Sequence, residues 1–332
     1  MKALVTGAAG FLGRHVVSAL LERGVAVRAM VRPAARIEGL GWPPSVEVVR
    51  ADLRSSPDLH RAFDGVEVLV HLAAAVSGGE DAQFAATVVG TERLLEAMAR
   101  TDCRRVVLAS SFSVYDWSAI EGTLDEDSPL EPVADLYARD GYSIAKSWQE
   151  RVARRACATH GWELTVLRPG FIWGRDHAYL AALGVQISRL HLVIGPLSRL
   201  PMTHVENCAD LFALAAVDPR ARGQTFNVVD GEGERIWSFL GDYLRGKGER
   251  GIRIPVPYRL VHRAVQLAFS TVFRRNLKLP QILIPVRFES RLKPLRYTHR
   301  RAREVLGWSP PLAFEECLRR TFEPAGPARA VA

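Results

Sequence analysis

Short blocks of Val, Leu and Ala alternate with amphipathic stretches through the first half of the chain. Residues 2–6, 25–31, 46–50, 66–71, 105–109 and 163–168 are apolar almost throughout, a pattern that suits parallel strands buried on both faces. Between them, residues 11–23, 58–63, 81–100 and 142–160 repeat their apolar positions with helical spacing. This alternation predicts an α/β fold, a Rossmann-type doubly wound parallel sheet with its ligands at the carboxyl ends of the strands. Beyond about residue 170 the alternation loosens. Residues 178–194 and 237–244 read as helices, 226–229 as a strand and 315–321 as a short closing helix. Pro255 and Pro257 precede a further helical stretch, 258–275. Arg259, Arg263, Gln266, Ser270 and Arg274 recur along one side of it, and Leu260, Val261, Ala264, Val265, Ala268 and Val272 line the other. The expected organisation is a dinucleotide-binding unit over 1–170 with contributions from about 200–232, a smaller mixed substrate-binding region over 171–199 and 233–323, and a flexible tail over 324–332.

Composition narrows the class. The 332 residues are 48% hydrophobic and 24% charged, which suits a soluble globular protein with a large core. No apolar run approaches the roughly 20 residues of a membrane span, and the first strand begins at residue 2 with no apolar leader before it. Cys103, Cys157, Cys208 and Cys317 lie far apart and form no C-x-x-C pair, so free thiols are expected rather than a disulfide scaffold or a metal site. A cytoplasmic location follows as the expectation. Charge is uneven: residues 245–303 carry 16 Lys/Arg against Glu249 and Glu289, a net of +14, which leaves −6 for the remainder of a chain of net charge +8. Nothing else reads as a nucleic-acid module, so a phosphorylated substrate or an anionic lipid surface at the inner membrane face is the better match for this basic region.

Three motifs carry chemistry. Strand 2–6 runs into Gly7, Gly10 and Gly13 and then a helix, the arrangement in which residues without Cβ let backbone approach a pyrophosphate while the helix N-terminus attracts it. Tyr142 and Lys146 stand four apart on a predicted helix and share a face. A nearby ammonium favours phenolate, so Lys146 is expected to lower the Tyr142 pKa and let the phenol exchange a proton near neutral pH. Finally, hydroxyls in Ser110-Ser111-Phe112-Ser113-Val114-Tyr115 sit where the fifth strand meets the cofactor crevice, though serines are equally common there as turn formers.

In this order the motifs resemble the extended short-chain dehydrogenase/reductases, within the NAD-dependent epimerase/dehydratase superfamily and nearest its 3β-hydroxysteroid dehydrogenase and dihydroflavonol reductase branch. The resemblance runs from Thr6 to about Thr321. It includes Asp52-Leu53 after the third strand, His71-Leu72-Ala73-Ala74 at the end of the fourth and Glu150 downstream of the Tyr142/Lys146 pair. It continues through Leu167-Arg168-Pro169-Gly170-Phe171-Ile172-Trp173-Gly174, His204-Val205-Glu206-Asn207-Cys208-Ala209 and Phe226-Asn227-Val228-Val229 to Arg303-Glu304-Val305-Leu306-Gly307-Trp308-Ser309-Pro310. The resemblance implies Ser111, Tyr142 and Lys146 as the catalytic set. It implies Gly7, Gly10, Phe11, Leu12, Gly13, Asp52, Leu53, Ala73, Ala74, Tyr142, Lys146 and Pro169 as dinucleotide contacts, with Asp52 at the adenine and Lys146 on the nicotinamide ribose.

Departures from the family pattern shape the rest. Where NAD-preferring members carry an aspartate after the second strand, this chain has Val31-Arg32, with Arg36 nearby; an arginine there can pair with a 2′-phosphate, so NADP(H) is the expected cofactor, with NAD the alternative. Thr87 stands at a usual asparagine and cannot supply an amide's donor and acceptor to a water relay; Asp116 replaces a usual glycine after Tyr115, which puts that turn in question. The implied reaction is hydride transfer to or from the hydroxyl or ketone carbon of a hydrophobic small molecule. The alternatives are a nucleotide-sugar epimerase, dehydratase or reductase whose diphosphate meets the basic region, and a nucleotide-binding subunit without catalysis. Stretches 258–275 and 277–286 suit either a membrane surface or packing over the substrate cleft, and relatives suggest a homodimer.

Overall fold

In the computed structural model the described residues are 1–132, 140–177, 185–187, 189–231, 234–273 and 284–323. In chain order the strands are β1 (Lys2–Thr6), β2 (Ala26–Val31), β3 (Glu47–Arg50), β4 (Val68–His71), β5 (Arg105–Ala109), β6 (Thr123–Leu124) and β7 (Glu163–Pro169). They continue with β8 (Phe171–Trp173), β9 (Val185–Ile187), β10 (Leu190–Ile194), β11 (Met202–His204), β12 (Thr225–Val228), β13 (Ile252–Val256) and β14 (Arg296–Tyr297). The α-helices are α1 (Phe11–Glu22), α2 (Glu80–Phe84), α3 (Gly90–Met98), α4 (Gly141–His160), α5 (Val205–Val217), α6 (Ile236–Gly246), α7 (Tyr258–Phe273), α8 (Pro285–Leu292), α9 (Arg300–Leu306) and α10 (Phe314–Phe322).

The apolar blocks pair into one parallel sheet of seven strands, in the order β12-β7-β5-β4-β1-β2-β3. Leu4, Val68, Leu69, Val70, Val106, Val107, Val166 and Leu167 are buried, because helices cover both faces. One face packs on α1 and α5 through Val16, Val17, Leu20, Leu211 and Phe212; the other packs on α3 and α4 through Leu94, Leu95, Met98, Ala153 and Cys157. Strand order reverses between β1 and β4, and that switch opens the crevice at their carboxyl ends. A separate apolar cluster joins Trp173, Val193, Met202, Phe239, Tyr243, Val265, Phe288 and Cys317, drawn from β8, β10, β11, α6, α7, α8 and α10. The four cysteines are buried and unpaired.

Several expectations change. Residues 81–100 do not form one helix: α2 and α3 are joined by a π-helical turn, Ala85–Val89, in which the Thr91 hydroxyl donates to Thr87 O and the Thr87 hydroxyl accepts from Ala75 N–H. Residues 58–63 tighten to a 3₁₀ turn, Leu59–Phe63. In the stretch expected as helix over 178–194, Val185–Ile187 and Leu190–Ile194 are strands, pairing with each other and with β13; residues 178–184 and 188 lie outside the described ones. β13 was invisible because Pro255 breaks a strand pattern, and it is tolerated here on a sheet edge. The apolar side expected of α7 is divided. Val265 is buried against α8, whereas Leu260 is 65% exposed beside Arg259 and Arg263; Leu267, which the sequence pattern does not assign to that side, is 69% exposed. Asp116 closes its turn as an aspartate can, its carboxylate accepting from Ser118 N–H and Ser118 Oγ–H. The tail 324–332 and most of 277–286 lie outside the described residues.

Candidate active site

The glycine turn leaves β1 at Thr6. Gly7 has φ +67, and a Cβ on it would stand 3.0 Å from Ala73 N, so no side chain fits between the turn and the end of β4. Gly10 N–H donates to Gly7 O at 2.9 Å, closing the turn. At Gly13 a Cβ would lie 2.1 Å from Gly7 O, so α1 sits against the turn only because that position is bare. Gly10 offers no side-chain cap, which leaves the first amides of α1 for an anion. This cradle, which any Cβ would fill, fits a dinucleotide pyrophosphate. The Phe11 ring packs against His15 and His177, and Leu12 packs into the core.

Arg32 follows β2, in register beside β1, and is exposed. Asp52 follows β3 at the same end of the sheet. Its carboxylate accepts from Arg54 side chain and backbone, and chiefly that hydrogen bonding holds it down at about 2, with the Arg32 charge adding to the effect. The carboxylate expected at the adenine is therefore paired with Arg54 here. Leu53 packs on Gly90, and Pro169 ends β7 beside Val228 of β12.

Asp140 caps α4 by accepting from Ser143 N–H at 2.8 Å, which starts the helix just before Tyr142. Ser111 follows β5, and its Oγ accepts from Ser113 N–H at 3.1 Å. The Tyr142 phenol lies close enough to the Ser111 side chain for Ser111 to favour its ionised form. Lys146, 3% exposed, donates to Ala109 O and to Gln149 Oε1, each at 2.8 Å. So α4 and the end of β5 bring Ser111, Tyr142 and Lys146 together. Their electrostatics differ from the expectation. Burial pushes the Tyr142 phenol up, and Ser111 opposes this only in part. Lys146 is itself lowered to about 7 by burial, against the raising effect of Glu150. The ammonium is engaged with Ala109 O and Gln149, so burial rather than Lys146 governs Tyr142.

Behind these residues lies a polar layer. The Ser110 hydroxyl donates to Glu150, whose carboxylate pairs with Arg168 at 2.6 Å. Burial raises Glu150, but the Arg168 hydrogen bonds and charge prevail and hold it at about 2. Arg168 also donates to the Tyr115 hydroxyl, which donates to Asn227 Oδ1 at 2.6 Å. These contacts tie α4, β7 and β12 together. On the other side of Lys146, His71 is 1% exposed between Thr6 and Thr91, at 2.7 and 2.8 Å. Burial and the Lys146 charge lower His71 to about 3, so it is neutral. Sequence reading named His71 only as part of a motif and missed Gln149 and Thr91. The available signal was a glutamine three residues after Lys146, on the helix face that also carries Tyr142. Two concavities of about 310 and 230 Å³ are lined by neither Ser111, Tyr142 nor Lys146.

Comparison with known proteins agrees with this geometry. Residues 3–229 match the NAD dependent epimerase/dehydratase family. The chain is 32% identical to a 4-hydroxy-2-methyl-3-oxo-4-farnesyl-3,4-dihydroquinoline-1-oxide ketoreductase of Stigmatella aurantiaca, over 81% of this chain and 80% of the relative. It is 28% identical to 3beta-hydroxysteroid-dehydrogenase/decarboxylase isoform 1 of Arabidopsis thaliana, over 96% and 78%. Among solved structures, UDP-glucuronic acid 4-epimerase from Bacillus cereus, in complex with UDP-glucuronic acid and NAD, shares the fold at a TM-score of 0.71 and 18% identity, covering 97% of this chain and 98% of that one. The match over most of the chain, with the glycine turn and the Tyr142/Lys146 helix at one crevice, shows that this chain belongs to the NAD-dependent epimerase/dehydratase family and is an NAD(P)-dependent enzyme of the extended short-chain dehydrogenase/reductase type.

Proposed function

We propose that the protein is an NADP(H)-dependent oxidoreductase that interconverts a ketone and a secondary alcohol on a hydrophobic small molecule. The observation that carries this reading is the meeting of Ser111, at the end of β5, with Tyr142 and buried Lys146 on α4, at the crevice of the glycine turn. When bound, a nicotinamide dinucleotide supplies or accepts a hydride at C4. Gly7, Gly10 and Gly13 would hold its pyrophosphate, Arg32 its adenosine-side phosphate and Lys146 its nicotinamide ribose. Ser111 hydrogen-bonds the substrate oxygen and orients it toward Tyr142. Tyr142 moves the proton to or from that oxygen. Because burial keeps the phenol protonated, donation to a ketone oxygen is the direction it is set for.

The hydrophobic substrate is supported by the relatives, whose names specify a hydroxysteroid and a farnesylated quinoline. It is also supported by the fate of basic side chains expected to clamp a diphosphate. Arg253 lies over the Trp237 ring and donates to Trp237 O, Arg301 pairs with Asp127, and Lys293 donates to Trp117 O. The exposed Arg259, Leu260, Arg263 and Leu267 support a peripheral contact of α7 with an anionic membrane, from which such a substrate is drawn. The test is cofactor consumption: NADPH with a panel of steroid and prenylated ketones, set against NADPH or NAD with UDP-hexoses. Oxidation of NADPH by a hydrophobic ketone is expected. Turnover confined to UDP-hexoses with tightly held NAD would replace this reading with an epimerase.

A further inference from the structure

Backbone carbonyls, which can only accept, set the direction of the hydrogen bonds around Lys146. Thr87 O can only accept, so the Thr91 hydroxyl donates to it. The Thr91 oxygen is then an acceptor, and His71, 2.8 Å away, must carry its proton on Nε2. His71 Nδ1 accepts from the Thr6 hydroxyl, whose oxygen accepts from Ala73 N–H. Ala73 O likewise can only accept, so the Gln149 atom 3.2 Å from it is the amide nitrogen, which also donates to Thr91 Oγ1 at 3.0 Å. That fixes the other end of the amide: Gln149 Oε1 faces Lys146 Nζ. Gln149 Nε2 also stands 3.2 Å from His71 Nε2, two donors in this assignment, but reversing the Gln149 amide would oppose donors at Lys146 and acceptors at Ala73.

We propose that Gln149 is a positioning residue for Lys146: its amide, oriented by Ala73 O and Thr91, presents a fixed acceptor that holds the ammonium at the carboxyl end of β5, facing the dinucleotide. The proposal rests on the reading of Lys146 as a dinucleotide contact. Neither composition nor the family motifs assign the residue a role. Its placement joins the lysine to the same Ala73 that Gly7 abuts, so one amide couples the glycine turn to the lysine. The charged and titratable groups coupled to Lys146 are Glu150 on its own helix and His71 from β4. His71 is neutral, so Gln149 and the Ala109 carbonyl are what Nζ bonds directly.

A thermodynamic cycle tests this, with NADPH and NADH as probes and binding read by fluorescence titration. Lys146→Met is expected to weaken binding about tenfold, the scale of lost hydrogen bonds to a charged group. Gln149→Leu is expected to weaken it about fivefold to tenfold in the native background but less than about twofold on top of Lys146→Met, since groups acting as a unit are not additive. Thr91→Val, which frees the amide, is expected to reproduce the effect more weakly and serves if Gln149→Leu does not fold. The pH dependence adds a second readout. Loss of an acceptor destabilises the ammonium, so the alkaline midpoint at which binding weakens should move to lower pH in Gln149→Leu. If Lys146→Met binds as the native protein does, the lysine reading fails and the proposal with it. If Lys146→Met is impaired but Gln149→Leu costs the same factor in both backgrounds, or nothing in either, or leaves the midpoint in place, the proposal alone fails.

Discussion

Tyr142→Phe removes one hydroxyl and no packing volume to speak of, so its effect isolates proton transfer. Turnover should fall by about 10²-fold or more, the usual contribution of a positioned acid or base, while dinucleotide affinity stays within about threefold. Stopped-flow and equilibrium titration separate the two, and an active Tyr142→Phe protein would remove the phenol from the mechanism. Arg32 is a second residue whose role is separable. It stands exposed after β2, where its charge also reaches Asp52. Arg32→Ala should weaken NADPH binding about tenfold and leave NADH binding nearly unchanged, because only the former offers a phosphate to a guanidinium. Equal losses for both dinucleotides would assign Arg32 a general electrostatic role. At this scale the sequence was readable where a side chain's chemistry acts alone. It was misleading for Lys146, whose effect on Tyr142 depends on burial and on what else the ammonium touches.

Helix α1 depends on a missing side chain. Gly13→Ala places a methyl carbon 2.1 Å from Gly7 O, which is backbone and cannot swing aside. Either α1 shifts away from the turn or the turn opens. Dinucleotide affinity should then fall by at least about tenfold, and the thermal midpoint should drop, as overpacking at a rigid contact typically costs about 1–3 kcal/mol. Calorimetry and fluorescence titration check both. Helix α7 offers a different test, since Leu260 and Leu267 lie exposed beside Arg259 and Arg263. If α7 meets a membrane, sedimentation with phosphatidylglycerol vesicles should exceed that with phosphatidylcholine vesicles, and Leu260→Glu/Leu267→Glu should abolish the difference. The periodicity of α7 was legible, but not which of its apolar residues face inward, because two apolar stripes on one helix cannot be ranked without the neighbour that covers one of them. Similarly, the π turn between α2 and α3 has no periodic signature; it arises where Thr91 bonds back to Thr87 O.

Across the whole molecule, buried histidines set the response to acid. His71, His15 and His204 are lowered from 6.5 to about 3, 4 and 4, each first by burial. Between about pH 6.5 and 4 the unfolded chain therefore binds protons that the folded one refuses, and stability falls as pH falls. Asp230, raised from 3.8 to about 6 by burial, acts in the opposite sense over nearly the same range. For these four groups the difference of about two protons corresponds to a slope of roughly 2–3 kcal/mol per pH unit at about 1.4 kcal/mol per proton; His299, lowered by burial, adds to it, and Glu126 and Glu234, raised by burial, oppose it. Urea midpoints measured from pH 7 to 5 should decline steeply; a flat profile would mean that these histidines are hydrated. Below pH 4 the Glu150–Arg168 pair adds a further loss, since Glu150 stays ionised in the fold down to about 2.

The parallel sheet, the bare positions of the glycine turn and the shared helical face of Tyr142 and Lys146 could be read from the chain by itself. Each rests on a local rule: continuous apolar blocks for strands buried on both faces, bare positions for close backbone approach, and a four-residue spacing for a shared helical face. What only the tertiary structure decided is how side chains distant in sequence share donors, acceptors and burial. It joined Thr6, His71, Ala73, Thr91, Lys146 and Gln149 into one directed network, and placed Asp52 on Arg54. It also paired β10 with β13 across an edge proline. Hydrogen-bond direction and desolvation are properties of an enclosed space, and no spacing along a chain specifies what will enclose it.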